Sequence, residues 1–173
     1  MYLGYLISFV IVLFIHELGH LVAAKACRVP ADEFGLGWGR ELKAFRWGGV
    51  TYKLHLLPIG AYVRMDMNVL QTRPLSQQVL VLLAGPIVNL VAAAATAGTS
   101  FSVINYLIAA TNLLPLYQQD GWKCGMVMLR ATLGGRNKTM EWVFTVFGTT
   151  ASIVILASGT WIKDIIRALR ISI

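Results

Sequence analysis

Long apolar stretches alternate along this chain with polar, glycine-punctuated ones. Nearly every position from 1 to 24 is apolar, and comparable runs occupy about 79–97, 101–116 and 142–161. A helix of about 20 apolar residues crosses the hydrocarbon of a bilayer, so the pattern predicts about four transmembrane helices. The third run is short and ends in Asn112-Leu113-Leu114-Pro115, which predicts a helix that breaks inside the bilayer and continues beyond the break. Such breaks persist only where protein or water satisfies the freed backbone groups. The first run lacks a basic leader and contains His16, Glu17 and His20, so it reads as a retained helix and not as a signal peptide.

Between the first two runs, over residues 27–75, the pattern changes. Residues 41–46 and 50–56 alternate approximately and are joined by Trp47-Gly48-Gly49, which predicts a β-hairpin. Residues 61–65 add a further strand after the interruption at Pro58 and Gly60. The expected fold is therefore an α-helical integral membrane protein. A glycine-rich, membrane-associated β-hairpin region, about 34–66, separates helices 1 and 2, and residues 1–173 form a single membrane-embedded domain.

Composition sharpens this picture. Of the 173 residues 57% are hydrophobic and 13% charged, against about 25% charged in an ordinary soluble domain. The net charge of +7 does not point to nucleic acid, because the basic residues fall between apolar runs and not on a polar face. Lys25, Arg28, Arg40, Lys43, Arg46, Lys53, Arg64 and Arg73 lie in or beside the first loop, and Lys123, Arg130, Arg136 and Lys138 in the third. By the positive-inside rule both loops are cytoplasmic and the N-terminus is outside. Lys163, Arg167 and Arg170 dissent, since they would place positive charge outside with the C-terminus. Cys27 and Cys124 have no paired spacing and indicate neither a disulfide framework nor a zinc ribbon.

The scarce ionisable groups inside the apolar runs carry the chemistry. His16-Glu17-Leu18-Gly19-His20 is an H-E-x-x-H sequence on a predicted helix. Residues four apart share a helix face, so both imidazoles reach one metal while Glu17 stands beside them as a base for water, the arrangement of zinc hydrolases. The competing reading, histidines that merely hydrogen-bond within a bundle, leaves three ionisable groups in hydrocarbon, where each charge costs about 2.5–3.5 kcal/mol. A catalytic zinc takes three protein ligands and keeps a fourth position open. Among the remaining carboxylates only Asp120, just after the broken third helix, has a membrane-embedded setting, and it is the expected third ligand. Cys27 and Cys124 read as small buried residues, and His55 as a strand residue.

With these residues the sequence resembles the site-2 protease family of intramembrane zinc metalloproteases. The family pairs H-E-x-x-H with N-x-x-P-x-x-x-x-D-G on a later helix, and Asn112, Pro115, Asp120 and Gly121 fit the second motif at that spacing. The likeness extends to residues 34–39, to 57–65 and to Gly85-Pro86-Ile87-Val88-Asn89, covering about 1–133. It departs at Ala61, where members often have glycine, at Gln118, often proline, and at Trp122 and Lys123, often a small residue followed by arginine.

The resemblance implies one zinc ion held by His16, His20 and Asp120, with Glu17 as the general base. The implied reaction is peptide-bond hydrolysis within or near transmembrane segments of single-span membrane proteins. Asn112 and Asn89 are candidates for binding substrate backbone or steadying the oxyanion, or else for hydrogen bonds between spans. The hairpin region is expected to dip into the bilayer and to offer residues 50–56 as an edge for an extended substrate. The resulting expectation is a multi-pass prokaryotic cell-membrane enzyme with its site towards the cytoplasm. No inserted peptide-binding or nucleotide-sensing domain is expected, so regulation falls to a partner, to substrate trimming or to the lipid. The rival readings are a membrane metal transporter or metal-binding protein, and an inactive protease homologue.

Overall fold

A computed structural model describes residues 2–159. Its elements are α1 (Tyr2–Ala26), β1 (Ala31–Trp47), β2 (Val50–Met65), α2 (Met67–Gln71), α3 (Leu75–Ala95), α4 (Ser100–Leu113), α5 (Asp120–Thr132) and α6 (Lys138–Ser158). Three stretches, Leu3–Ala26, Leu75–Ala95 and Lys138–Ser158, are helical, long and apolar enough to cross a membrane. The expected third span, read as short and broken, is α4, only 14 residues long, so among the described residues three helices are long enough to cross in full. The basic tail with Lys163, Arg167 and Arg170, and the end of the last expected span, lie outside the described residues.

Local chemistry accounts for the boundaries. Arg28 terminates α1 at a φ of 55°. Around it Val29 N donates to Ala24 O at 2.8 Å and Arg28 N to Lys25 O at 3.0 Å, the two bonds of a Schellman cap. Gly48 and Gly49, with φ of 56° and 83°, supply the two left-handed residues of a tight hairpin turn that sets Trp47 opposite Val50. Asp66 caps α2 by accepting from Asn68 N and Val69 N at 2.9 and 3.1 Å.

The hairpin is wider than its two elements suggest. Glu33, Phe34, Gly35 and Leu36 lie opposite residues 61–64 on one side and 51–54 on the other, while 43–47 lie opposite 50–54. Each strand therefore folds over, near Gly37 and Gly39 in β1 and at Pro58 to Gly60 in β2, and the sheet has four lanes in the order 61–65, 31–36, 50–57, 41–47. This corrects the expectation for residues 50–56. They are flanked on both sides, and the edges are 41–47 and 61–65. The further strand expected at 61–65 is present as the last part of β2.

The core lies where α1, α2, α3 and α5 meet, at Ala24, Cys27, Leu70, Val81, Leu82 and Cys124. Close approach of α1 and α3 depends on Gly19, where a Cβ would stand 2.8 Å from the Ala84 carbonyl oxygen. The backbone freed between α4 and α5 finds protein partners, since Tyr117 N donates to Gly148 O and Ser152 Oγ at 3.3 and 3.2 Å. Apart from these contacts α6 is held by Arg130, which grips Glu141 with two bonds of 2.8 and 2.9 Å, and by Trp122 stacked on Phe144.

Candidate active site

His16 and His20 lie one turn apart on α1 and face Gly85 of α3. A Cβ at Gly85 would meet Nε2 of both rings, in the case of His16 at 2.7 Å, so the missing side chain is the space into which the two imidazoles turn. Asp120 reaches the same point from the opposite side as the first residue of α5. The turn that delivers it needs Gly121, whose Cβ would run into the Leu113 and Leu114 carbonyl groups. The three side chains are buried, at 4%, 5% and 5% exposure for His16, His20 and Asp120.

Both Nε2 atoms lie 3.0 Å from Asp120 Oδ2 and 3.3 Å from each other. His20 Nδ1 lies 2.8 Å from the Val81 carbonyl oxygen, which can only accept, so Nδ1 carries the proton. A neutral His20 then turns the lone pair of Nε2 towards a carboxylate oxygen. Lone pairs so opposed call for a cation between them. Zinc bonds of about 2.0–2.1 Å in a tetrahedron space the donors about 3.3 Å apart, close to the spacing found. The donor set fits zinc, and among the described residues it is the one group of three or more His, Cys, Asp or Glu side chains with such spacing.

A cavity of about 510 Å³ opens beside these groups, lined by Glu17, His20, Arg64, Gln118, Asp120 and Lys123 among others. Glu17 is half-buried there, one residue beyond His16. Residues 62–65 of the sheet edge form another wall. That edge is braced through Glu33, which accepts from the Tyr62 hydroxyl and pairs with Lys53 at 2.8 Å. The Lys53 ammonium and the Tyr62 hydroxyl hold the Glu33 carboxyl below the ordinary glutamate range.

Other residues singled out in the sequence lie elsewhere. Asn89 is fully buried on α3, and neither atom of its amide has a partner among the described residues. Asn112 donates to Ile108 O of its own helix at 2.9 Å. Neither lines the cavity. Cys27 and Cys124 are buried in the apolar core, and His55 is on β2 with its ring centre 6.1 Å from that of Tyr62. Trp122 packs edge-on to Tyr117, 5.1 Å between ring centres, in a recess left by Gly148, and so points away from the ligands. Gln118 has a φ of 72°, which proline cannot adopt. The roles of two residues were not among the expectations. Gly85 gives no sign of its proximity to the histidines, whereas Lys123, three residues after Asp120 on a helix, was legible by its spacing.

Comparison with known proteins gives the family. The description "Peptidase family M50" matches residues 4–103, more than half of the chain. The chain belongs to peptidase family M50. A putative zinc metalloprotease of Clostridium acetobutylicum is 34% identical to this M50 chain over 97 residues, 51% of the chain and 29% of that relative. The zinc metalloprotease RasP of Shouchella clausii is 43% identical over 63 residues, 36% of the chain and 15% of the relative. The M50 chain thus spans less than a third of the length of these curated relatives. The fold matches the site-2 protease of Methanocaldococcus jannaschii with a TM-score of 0.54 and 21% identity, over 94% of this chain and 70% of that one. With its three long apolar helices, the M50 chain is a multi-pass membrane protein.

Proposed function

We propose that this chain is an intramembrane zinc metalloendopeptidase that hydrolyses peptide bonds within or near the transmembrane segments of single-span membrane proteins. The observation that carries the reading is the convergence of His16, His20 and Asp120 on one point, with Glu17 on the wall of the same cavity. His16, His20 and Asp120 hold the zinc. When bound, zinc acts as a Lewis acid that polarises the scissile carbonyl and lowers the pKa of water towards about 7. Glu17 takes the proton of the attacking water and returns it to the amide nitrogen as the C–N bond breaks. The Val81 carbonyl keeps the His20 ring in the required tautomer.

A transmembrane helix must unwind before a carbonyl reaches the site, because its amides are bonded internally. Residues 61–65 offer an outlet. Their recorded pairings are all with 31–36, so one side of the strand is open towards the cavity, and an extended substrate pairs there by strand addition. Arg64 of the first loop and Lys123 of the third both line the cavity. These are the basic loops that the positive-inside rule assigns to the cytoplasm, which supports a site opening to that side.

The test is co-expression with a panel of single-span substrates, comparing the natural chain with Glu17→Gln. The expected outcome is cleavage by the natural chain and its loss in the variant, with zinc content retained. Cleavage that persists in Glu17→Gln refutes the mechanism, and zinc bound without cleavage by either form favours a transporter, a metal-binding protein or an inactive homologue.

A further inference from the structure

The two oxygens of Asp120 have different neighbours. Oδ2 faces both imidazoles, while Oδ1 lies 3.0 Å from Lys123 Nζ. Lys123 follows Asp120 by three residues on α5, so its side chain lies over the same turn. Asp120 is 7% exposed at its side chain and Lys123 37%, and both line the cavity. Asp120 is the one acidic partner of Lys123 among the described residues. Nothing else there is recorded as bonded to Oδ1.

We infer that Lys123 is a positioning residue that reserves one oxygen of Asp120 and so makes this aspartate a one-oxygen ligand. The inference rests on the zinc reading above. A carboxylate binds a metal through one oxygen or two, and a catalytic zinc needs three protein donors with the next position left for water and substrate. An aspartate free to turn both oxygens inward would fill that position. Lys123 prevents this by holding Oδ1 in a charge-assisted hydrogen bond, in the way that outer partners orient metal ligands generally. An arginine at the same place offers a cationic donor of similar reach and should serve the same purpose.

The test uses the full chain in detergent and two readouts besides activity, zinc affinity by competition with a chromogenic chelator and the visible absorption of the cobalt-substituted protein, whose intensity reports coordination. Lys123→Met is expected to lower zinc affinity about 10- to 100-fold and to change the cobalt spectrum, while Lys123→Arg keeps affinity within about threefold and the spectrum intact. Lys123→Gln substitutes for the methionine variant if that one does not fold. Natural affinity and spectrum in Lys123→Met or Lys123→Gln would overturn the inference, and so would an arginine variant as impaired as methionine. A parallel His16→Ala, His20→Ala chain separates the two levels. If it still binds zinc like the natural protein, the zinc reading itself fails and the inference falls with it.

Discussion

Gly85 shows how much of the site depends on one missing methyl group. A Cβ there would stand 2.7 Å from His16 Nε2 and 2.8 Å from its Cδ2, where the donors have to meet. Alanine is the better helix former by about 1 kcal/mol, so Gly85→Ala leaves α3 helical and pushes the imidazoles off their common point. Zinc titration of that variant should show affinity reduced at least about 10-fold, and an unchanged titration would mean that the rings do not use this space. The same dependence on small residues recurs at Gly121, which lets α5 start against the end of α4, and at Gly148, which admits Trp122. The bulk of Trp122 is therefore absorbed on the α6 side, and Asp120 is undisturbed by it.

Among the elements, the sheet does most to shape access. The alternation of polar and apolar residues identified the lanes at 41–47 and 50–57 and the Gly48-Gly49 turn, yet it missed the 31–36 lane and could not reveal that both strands fold over and set the 50–57 lane between neighbours. The lane order makes proline at Leu54 a poor probe of substrate pairing, because Leu54 lies opposite both Leu36 and Lys43 and its loss would break the sheet itself. A photo-crosslinking side chain is the cleaner probe. Placed at Arg64 in a Glu17→Gln background it should capture a co-expressed substrate, and placed at Leu54 it should not. Equal capture at both positions, or capture at Leu54 alone, would contradict strand addition at residues 61–65. The broken α4–α5 segment follows from Pro115 in the sequence, whereas the partners of its freed amide, Gly148 and Ser152, come from α6 and needed the packed structure.

For the whole molecule, the proposed metal is also a clamp between α1 and α5, which are otherwise joined through the apolar core and α3. A ligand bound by the folded state alone stabilises it by RT ln(1 + [L]/Kd), about 2.7 kcal/mol at 100 times Kd. For a domain of this size that corresponds to a fall of about 5–10 °C in Tm on removal of zinc. Dialysis against a chelator followed by a thermal melt should show the fall, zinc should reverse it, and a His16→Ala, His20→Ala chain should be indifferent to both. A melt unaffected by chelation would argue against a metal bridging these elements.

The linear order of residues was enough to establish that the chain lives in a membrane, where its long apolar helices run, that a glycine-rich hairpin separates the first two, and that His16, Glu17, His20 and Asp120 are the residues to watch. Those features are local: apolar length, helical spacing and turn chemistry are written in neighbouring positions. Only the tertiary structure decided which strand lies at the sheet edge beside the cavity, that Asn89 is buried away from it, and that Gly85 makes room for the imidazoles. These depend on which surfaces meet across tens of residues, and packing sets such encounters, not the periodicity of any one segment.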